Sequence, residues 1–140
     1  MIDAKEYLEW IAIAEGKIQR KLAEIDRLRN LATSVGSLST DTPVQASNEG
    51  DRIGKIVASI ADKEKELDDI IDEYIDEKDK RIKIIEQLDN ELERSVLHKK
   101  YVQFKPFNQI ADEEFYTKTW ILKVHKKALE KMNDLLKSIP

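Results

Sequence analysis

Cysteine is missing from the 140 residues, which excludes disulfide staples and thiolate metal sites. Histidine occurs only at His98 and His125, too few for a His-based metal cluster. Three prolines and four glycines supply few of the turns that a sandwich or barrel needs. No apolar run approaches the roughly 18 residues of a membrane span. The opening Met1-Ile2-Asp3-Ala4-Lys5-Glu6 has neither a basic leader nor an apolar stretch, so no secretion signal is expected and the cytoplasm is the default location. Gly50 and Gly54 fit neither a P-loop nor a dinucleotide fingerprint. No Ser or Thr has the context of a nucleophile. An enzyme, a cofactor and a bound metal are therefore not expected.

Charge is abundant instead. Charged residues make up 37% of the chain, against 6% aromatic, a balance typical of long solvated helices. The net charge of -4 hides an asymmetry. Residues 1–93 carry 14 Lys/Arg and 23 Asp/Glu, whereas residues 94–140 carry 10 and 5. A basic end on an acidic chain points to a polyanionic partner for the C-terminal third.

The apolar periodicity is helical throughout. Asp3 is a candidate N-cap with Glu6 as its capping-box partner. From there Tyr7/Leu8, Ile11, Ala14, Ile18, Leu22, Ile25 and Leu28 recur at three-four spacing, which predicts a helix over 3–32. Residues 33–50 are Ser/Thr-rich, with Pro43 and two Gly, and read as a flexible loop. A second helix starts near Asn48 or Asp51. Ile53, Ile60, Leu67, Tyr74 and Leu88 hold one seven-residue register with Arg81 as its polar break, a coiled-coil-like seam. The acidic run Asp62-Lys63-Glu64-Lys65-Glu66 reads as a solvated face. The two helices are expected to form a long antiparallel hairpin over 1–89. Its surplus apolar stripe calls for a second copy of the chain, as a homodimer or higher homo-oligomer, or for the C-terminal domain.

Asn90 followed by Glu93 marks a new helix start, Pro106 another and Thr117 a third. Residues 90–140 are thus expected as a three-helix domain, and the fold class as all-α. A short helix, a tight turn and a basic last helix form the pattern of a helix-turn-helix. Ile110 and Ala111 would fill the corner, with Ile121, Val124 and Ala128 facing the core. Thr117, Lys118, Thr119, Leu122, Lys123 and Lys126 would face double-stranded DNA. Lys99, Lys100 and Lys105 are further candidates for phosphate contacts. A solvated basic helix in an ordinary bundle has the same pattern. Trp120 is either a packing anchor against Leu97 and Tyr101 or a DNA contact, and His125 reads as a packed histidine. Trp10 and Tyr7 read as core or interface.

The stretch from Ile110 to Met132, IADEEFYTKTWILKVHKKALEKM, resembles region four of bacterial housekeeping-type sigma factors. The likeness runs through Ile110-Ala111, Thr117-Lys118, Ile121, Val124 and Lys127-Ala128-Leu129. It is closer to a family of small phage and prophage proteins with a sigma-region-four-like C-terminus, grouped with late-gene regulators of the ArpU and RinA kind. Tyr116-Thr117-Lys118, Trp120-Ile121, His125 and Ala128-Leu129-Glu130 carry that resemblance, as do Lys21–Arg29 and Leu31–Ser34 in the first helix. It implies a phage-encoded, DNA-binding transcriptional regulator in a bacterial host, with RNA polymerase as a further partner. Relatives usually carry two Arg where this chain has Lys118 and Thr119, which implies modest affinity, strong salt sensitivity or help from a partner. Glu114 stands at a usually apolar position, and Phe115 is placed to take over its packing. The acidic trio Asp112-Glu113-Glu114 leaves a second reading open. In it, a coiled-coil interaction protein mimics sigma region four and binds RNA polymerase or another protein without DNA.

Overall fold

A computed structural model describes residues 2–38 and 46–139. Every regular element among them is a helix: α1 (Ala4–Leu38), α2 (Ala46–Glu86), α3 (Glu91–Tyr101), α4 (Phe107–Glu114) and α5 (Lys118–Lys137). None is long and apolar enough to cross a membrane. At 1.5 Å per residue α1 spans about 52 Å and α2 about 60 Å. Both helices extend into the segment expected to be a loop. Residues 33–38 and 46–50 are helical, because Ser and Thr are weak helix formers rather than helix breakers. The remainder of that loop, residues 39–45 with Pro43, lies outside the described residues.

The chain divides into two compact units, Gly16–Glu73 and Met1–Glu15 with Tyr74–Pro140. In the Gly16–Glu73 unit, Ile18 and Ile25 of α1 and Leu67 of α2 are buried. Ion pairs link Lys21 with Glu66 at 3.2 Å, Glu24 with Lys63 at 2.7 Å, and Arg29 with Glu64. These pairs are half-exposed, so each contributes little beyond fixing the register.

The larger unit gathers the ends of α1 and α2 around α3, α4 and α5. One core joins Ala4, Leu8, Ile84, Ile85, Leu88, Leu97, Tyr101, Ala128 and Met132. A second joins Val96, Ile110, Ala111, Ile121 and Val124, with Leu92 and Phe107 packed on it. The expected boundary between residues 89 and 90 lies inside this unit, since Ala4, Leu8 and Ile84 share their core with α3 and α5. The start of α1 is tied to α5 as well: Ala4 N–H donates to Asn133 Oδ1 at 2.6 Å. Asp3 Oδ1 accepts from Glu6 N–H at 2.8 Å, as an N-cap should.

The polar break in the α2 register is a buried cation. Arg81 is 7% exposed, and its guanidinium carbon lies 4.2 Å from the Tyr7 ring centre and 4.1 Å from that of Trp10. Arg81 Nε donates to the Tyr7 carbonyl at 2.8 Å, and Nη1 donates to the Glu77 carbonyl and to Glu77 Oε2 at 3.0 and 2.9 Å. Trp10 in turn stacks on Tyr74 at 6.1 Å, and Tyr74 Oη donates to Glu15 Oε2 at 2.8 Å. A planar guanidinium suits this slot because it stacks on rings and donates in its own plane. Arg81→Met keeps much of the stem but has neither property. It is expected to lower the unfolding free energy by about 2 kcal/mol, read as a lower urea midpoint; an unchanged midpoint would show that the guanidinium adds nothing.

Candidate functional site

The last three helices start where the sequence places them. Asn90 Oδ1 accepts from Glu93 N–H at 3.0 Å. Thr117 Oγ1 accepts from Trp120 N–H at 3.1 Å. Pro106 is the residue before α4, with extended backbone. The Glu93 side chain departs from the expected box: it is 3% exposed and its Oε1 accepts from Lys131 Nζ. Lys131 also lies 3.5 Å from Asp89. The α3–α5 packing captures the carboxylate before it can turn back on its own helix.

α5 carries one buried stripe, formed by Ile121, Val124, Ala128 and Met132. Thr117, Lys118, Thr119, Leu122, Lys123 and Lys126 are all exposed, with Thr119, Leu122, Lys123 and Lys126 across the helix from the stripe and Lys118 at its flank. Lys118, Lys123 and Lys126 have no carboxylate partner among the described residues. No acidic residue stands in the first turn of α5, so the positive end of the helix dipole is left uncompensated there.

Lys99 and Lys105 are placed differently. Lys99 Nζ lies 3.0 Å from Glu113 Oε1 and 2.9 Å from Glu114 Oε1. Lys105 Nζ donates to both oxygens of Glu113, at 2.8 and 3.0 Å, and Gln109 Nε2 adds a bond at 2.9 Å. The bonds from Lys105, Lys99 and Gln109 pull the Glu113 carboxyl down to about 2. Ser95 and Lys99 hold Glu114 below the usual carboxylate range as well. Two of the three acids in Asp112-Glu113-Glu114 are thus neutralised by cations of α3 and of the α3–α4 connection. Lys100 sits apart, its Nζ 4.2 Å from the Phe107 ring centre. The structure therefore groups Lys118, Thr119, Leu122, Lys123 and Lys126 on one face, and Lys99, Lys100 and Lys105 elsewhere.

Two packing expectations need correction. Phe115 does not supply the apolar packing that Glu114 leaves out: it is 92% exposed, and Glu114 satisfies its site through Ser95 and Lys99 instead. Phe115 closes α4 with φ 61 and ψ 39, a left-handed conformation that turns its side chain to solvent and that a non-glycine residue adopts at a cost. Trp120 does not pack on Leu97 and Tyr101. It stands at the margin of the α5 stripe, is 47% exposed, and leans on Tyr116 with ring centres 6.4 Å apart. With Leu92 and Val124 it lines a cleft of about 440 Å³.

His125 occupies the place beside Tyr101 instead. Its Nε2 and the Tyr101 hydroxyl share a hydrogen bond at 2.7 Å. Its ring stacks on Tyr101 at 5.6 Å and meets Phe107 edge-on at 4.9 Å. Burial, followed by the charges of Lys100 and Lys5, pushes the imidazole down to about 4, so His125 is neutral at physiological pH. Burial raises Tyr101 to about 12. Among the described residues no cluster of three or more His, Cys, Asp or Glu side chains is arranged to hold a metal ion.

Phe115→Gly relieves the left-handed strain and removes no buried group, so it is expected to stabilise the fold by about 1 kcal/mol. A lowered melting temperature would mean that the exposed ring has a partner. His125 binds its proton in the unfolded chain below about pH 6.5 but in the folded chain only below about 4. Stability is therefore expected to fall as the pH drops from 6.5 to 4. Burial lowers His98 too and adds to the same loss. Glu113 adds a separate loss below about 4.5. His125→Gln is expected to flatten the upper part of the profile in urea titrations, and an unaltered slope there would remove His125 as its source.

A scan against protein-family models, a search of curated proteins and a search of solved structures each returned no match.

Proposed function

We propose that the chain is a phage- or prophage-encoded transcriptional regulator that binds double-stranded DNA in the cytoplasm of its bacterial host. In this reading α4, the turn at Phe115-Tyr116 and α5 act as a helix-turn-helix, with α5 in the major groove. Residues 90–140 are the DNA-reading part. The pairing of α1 with α2 forms an antiparallel hairpin whose role is to pair protomers or engage RNA polymerase. The observation that carries the reading is the bare cationic side of α5: Lys118, Lys123 and Lys126 are exposed and, among the described residues, unpaired, on the side of the helix that the buried apolar stripe leaves free. The resemblance to sigma region four supports it through Thr117-Lys118, Ile121 and Val124. The pairing of Glu113 and Glu114 with Lys99 and Lys105 removes much of the repulsion that the acidic trio would exert on phosphate.

The roles divide by position. Lys118, Thr119 and Lys123 stand nearest the base edges. The first N–H groups of α5 and the Thr117 hydroxyl suit a phosphate. Lys126, further along, suits the backbone. Lys makes a less defined contact with guanine than Arg does, and Thr119 makes no bidentate contact, so affinity rests largely on charge. The second reading, a protein-binding mimic of sigma region four, draws on the exposed aromatic group Phe115, Tyr116 and Trp120, a composition enriched at protein interfaces.

Duplex binding measured across salt separates the two. Groove docking is expected to give a steep loss of affinity with rising salt. In Lys118→Ala/Lys123→Ala the log–log slope should shrink by roughly one for each phosphate contact removed. Equal, weak binding by wild type and double variant would overturn the DNA reading and favour the protein-binding one.

A further inference from the structure

A second cleft, of about 540 Å³, opens on another side of the larger unit. Its volume is in the range of small-molecule sites, about 300–1,000 Å³. Its walls come from the start of α1, the end of α3, the α3–α4 connection, the start of α4 and α5. Tyr101, Phe104, Phe107 and His125 supply aromatic surface, Lys5, Lys100 and Lys105 supply positive charge, and Glu9 supplies one carboxylate, beside Lys5. Two features separate it from an ordinary surface crease.

The first is an uncompensated cation. Lys105 is held by both oxygens of Glu113, and Lys5 lies 3.8 Å from Glu9. Lys100 has no carboxylate partner among the described residues, and its Nζ lies 4.2 Å from the Phe107 ring centre. The second is a polar atom open to solvent. His125 Nε2 is engaged with Tyr101, and Nδ1 has no partner among the described residues. Phe104 has φ 57, a left-handed conformation uncommon for an aromatic residue, and it lies on the cleft wall while 43% exposed. The surrounding bonds that hold it there run from Gln103 N–H to His98 O at 3.1 Å and from Lys105 N–H to Lys99 O at 3.0 Å. These bonds close the end of α3 as a helix C-cap, with Phe104 at its left-handed position.

We propose that this cleft binds a small planar aromatic anion, its ring against Phe104, Phe107 and His125 and its carboxylate or phosphate on Lys100. Flat walls favour a flat ring by offset and edge-on stacking. The lone ammonium selects a negative group, and His125 Nδ1 bonds to a substituent of the ring. Arrival of an anion beside a neutral imidazole favours its protonated form. Ligand binding is therefore coupled to the charge of a residue on α5. Binding in the cleft is independent of the DNA reading, which rests on Lys118 and Lys123 on another face.

The test is a titration of the full chain followed by NMR of the His125 ring. The probes are 4-hydroxybenzoate for a carboxylate and adenosine 5′-monophosphate for a phosphate; adenosine and inorganic phosphate are each half of the recognised pair. One aromatic anion is expected to bind at or below about 1 mM, to shift the His125 resonances and to raise the pH at which that ring titrates. The tighter of the two assigns the acid group. Lys100→Met, which keeps an apolar stem over Phe107, is expected to weaken binding by at least about tenfold. Phe104→Gly is expected to weaken binding while leaving the melting temperature equal or higher, since it relieves the left-handed backbone; a structural role alone would not give that pair of results. The proposal is overturned by no response of His125 to either aromatic anion, by equal binding of inorganic phosphate, or by unchanged affinity in Lys100→Met. A DNA duplex that perturbs His125 equally in wild type and in Lys118→Ala/Lys123→Ala would also overturn it, by making the cleft a nucleic-acid surface.

Discussion

The apolar stripe of α5 is the constraint on which the larger unit rests. Ile121 and Val124 close the core over α3 and α4, while Ala128 and Met132, further along the same stripe, close the core that takes in the ends of α1 and α2. A helix places such residues on one face because its period is 3.6. Burying that face fixes what the opposite one does. Lys118, Lys123 and Lys126 are left in water because the interior has claimed the other side, and the candidate DNA face is a by-product of core packing. Ala128 belongs to this logic through its size, since a small side chain lets α5 approach its neighbours closely.

Charges are sorted by how much water they retain. Arg81, almost fully buried, is surrounded by rings and by carbonyl and carboxylate oxygens. Glu93, equally buried, is met by Lys131, while its Oε2 lacks a protein partner. A buried ion without such neighbours would cost several kcal/mol. On the outside, Glu113 and Glu114 gather Lys99 and Lys105 into a compact cluster. That cluster decides which cations of the basic C-terminal third are free for another molecule.

The two aromatic residues of α5 exchange the roles their size suggests. Trp120, the larger, stands half-exposed beside Tyr116, whereas His125 lies between Tyr101 and Phe107. Helix phase decides this. His125 falls next to the buried stripe and Trp120 falls on its margin. Apolar area ranks residues by what burial gains, but the phase set by Ile121 and Val124 determines which side chain has access to the core. The neutral state of His125 is a consequence of that placement among lysines and rings.

Helix positions were legible in the residues, because capping and apolar period are local properties. Asp3, Asn90 and Thr117 cap where their side chains allow, and Ile110, Ala111, Ile121 and Val124 are buried as their spacing requires. The outward side of α5 followed from the same period. Three matters were not legible. The ends of the long helices depend on weak propensities in a Ser/Thr-rich stretch, where no single residue decides. The partner of Glu93, the exposure of Phe115 and the pairing of Lys99 and Lys105 depend on residues brought near from other helices. The stacking of Tyr7 and Trp10 on Arg81 arises between groups more than seventy residues apart in the chain. Sequence by itself determined which segments are helical and which side of each is apolar, since both follow from neighbours within one or two turns. Tertiary structure alone decided which charges are neutralised and where clefts open, since those depend on the distances between separate helices.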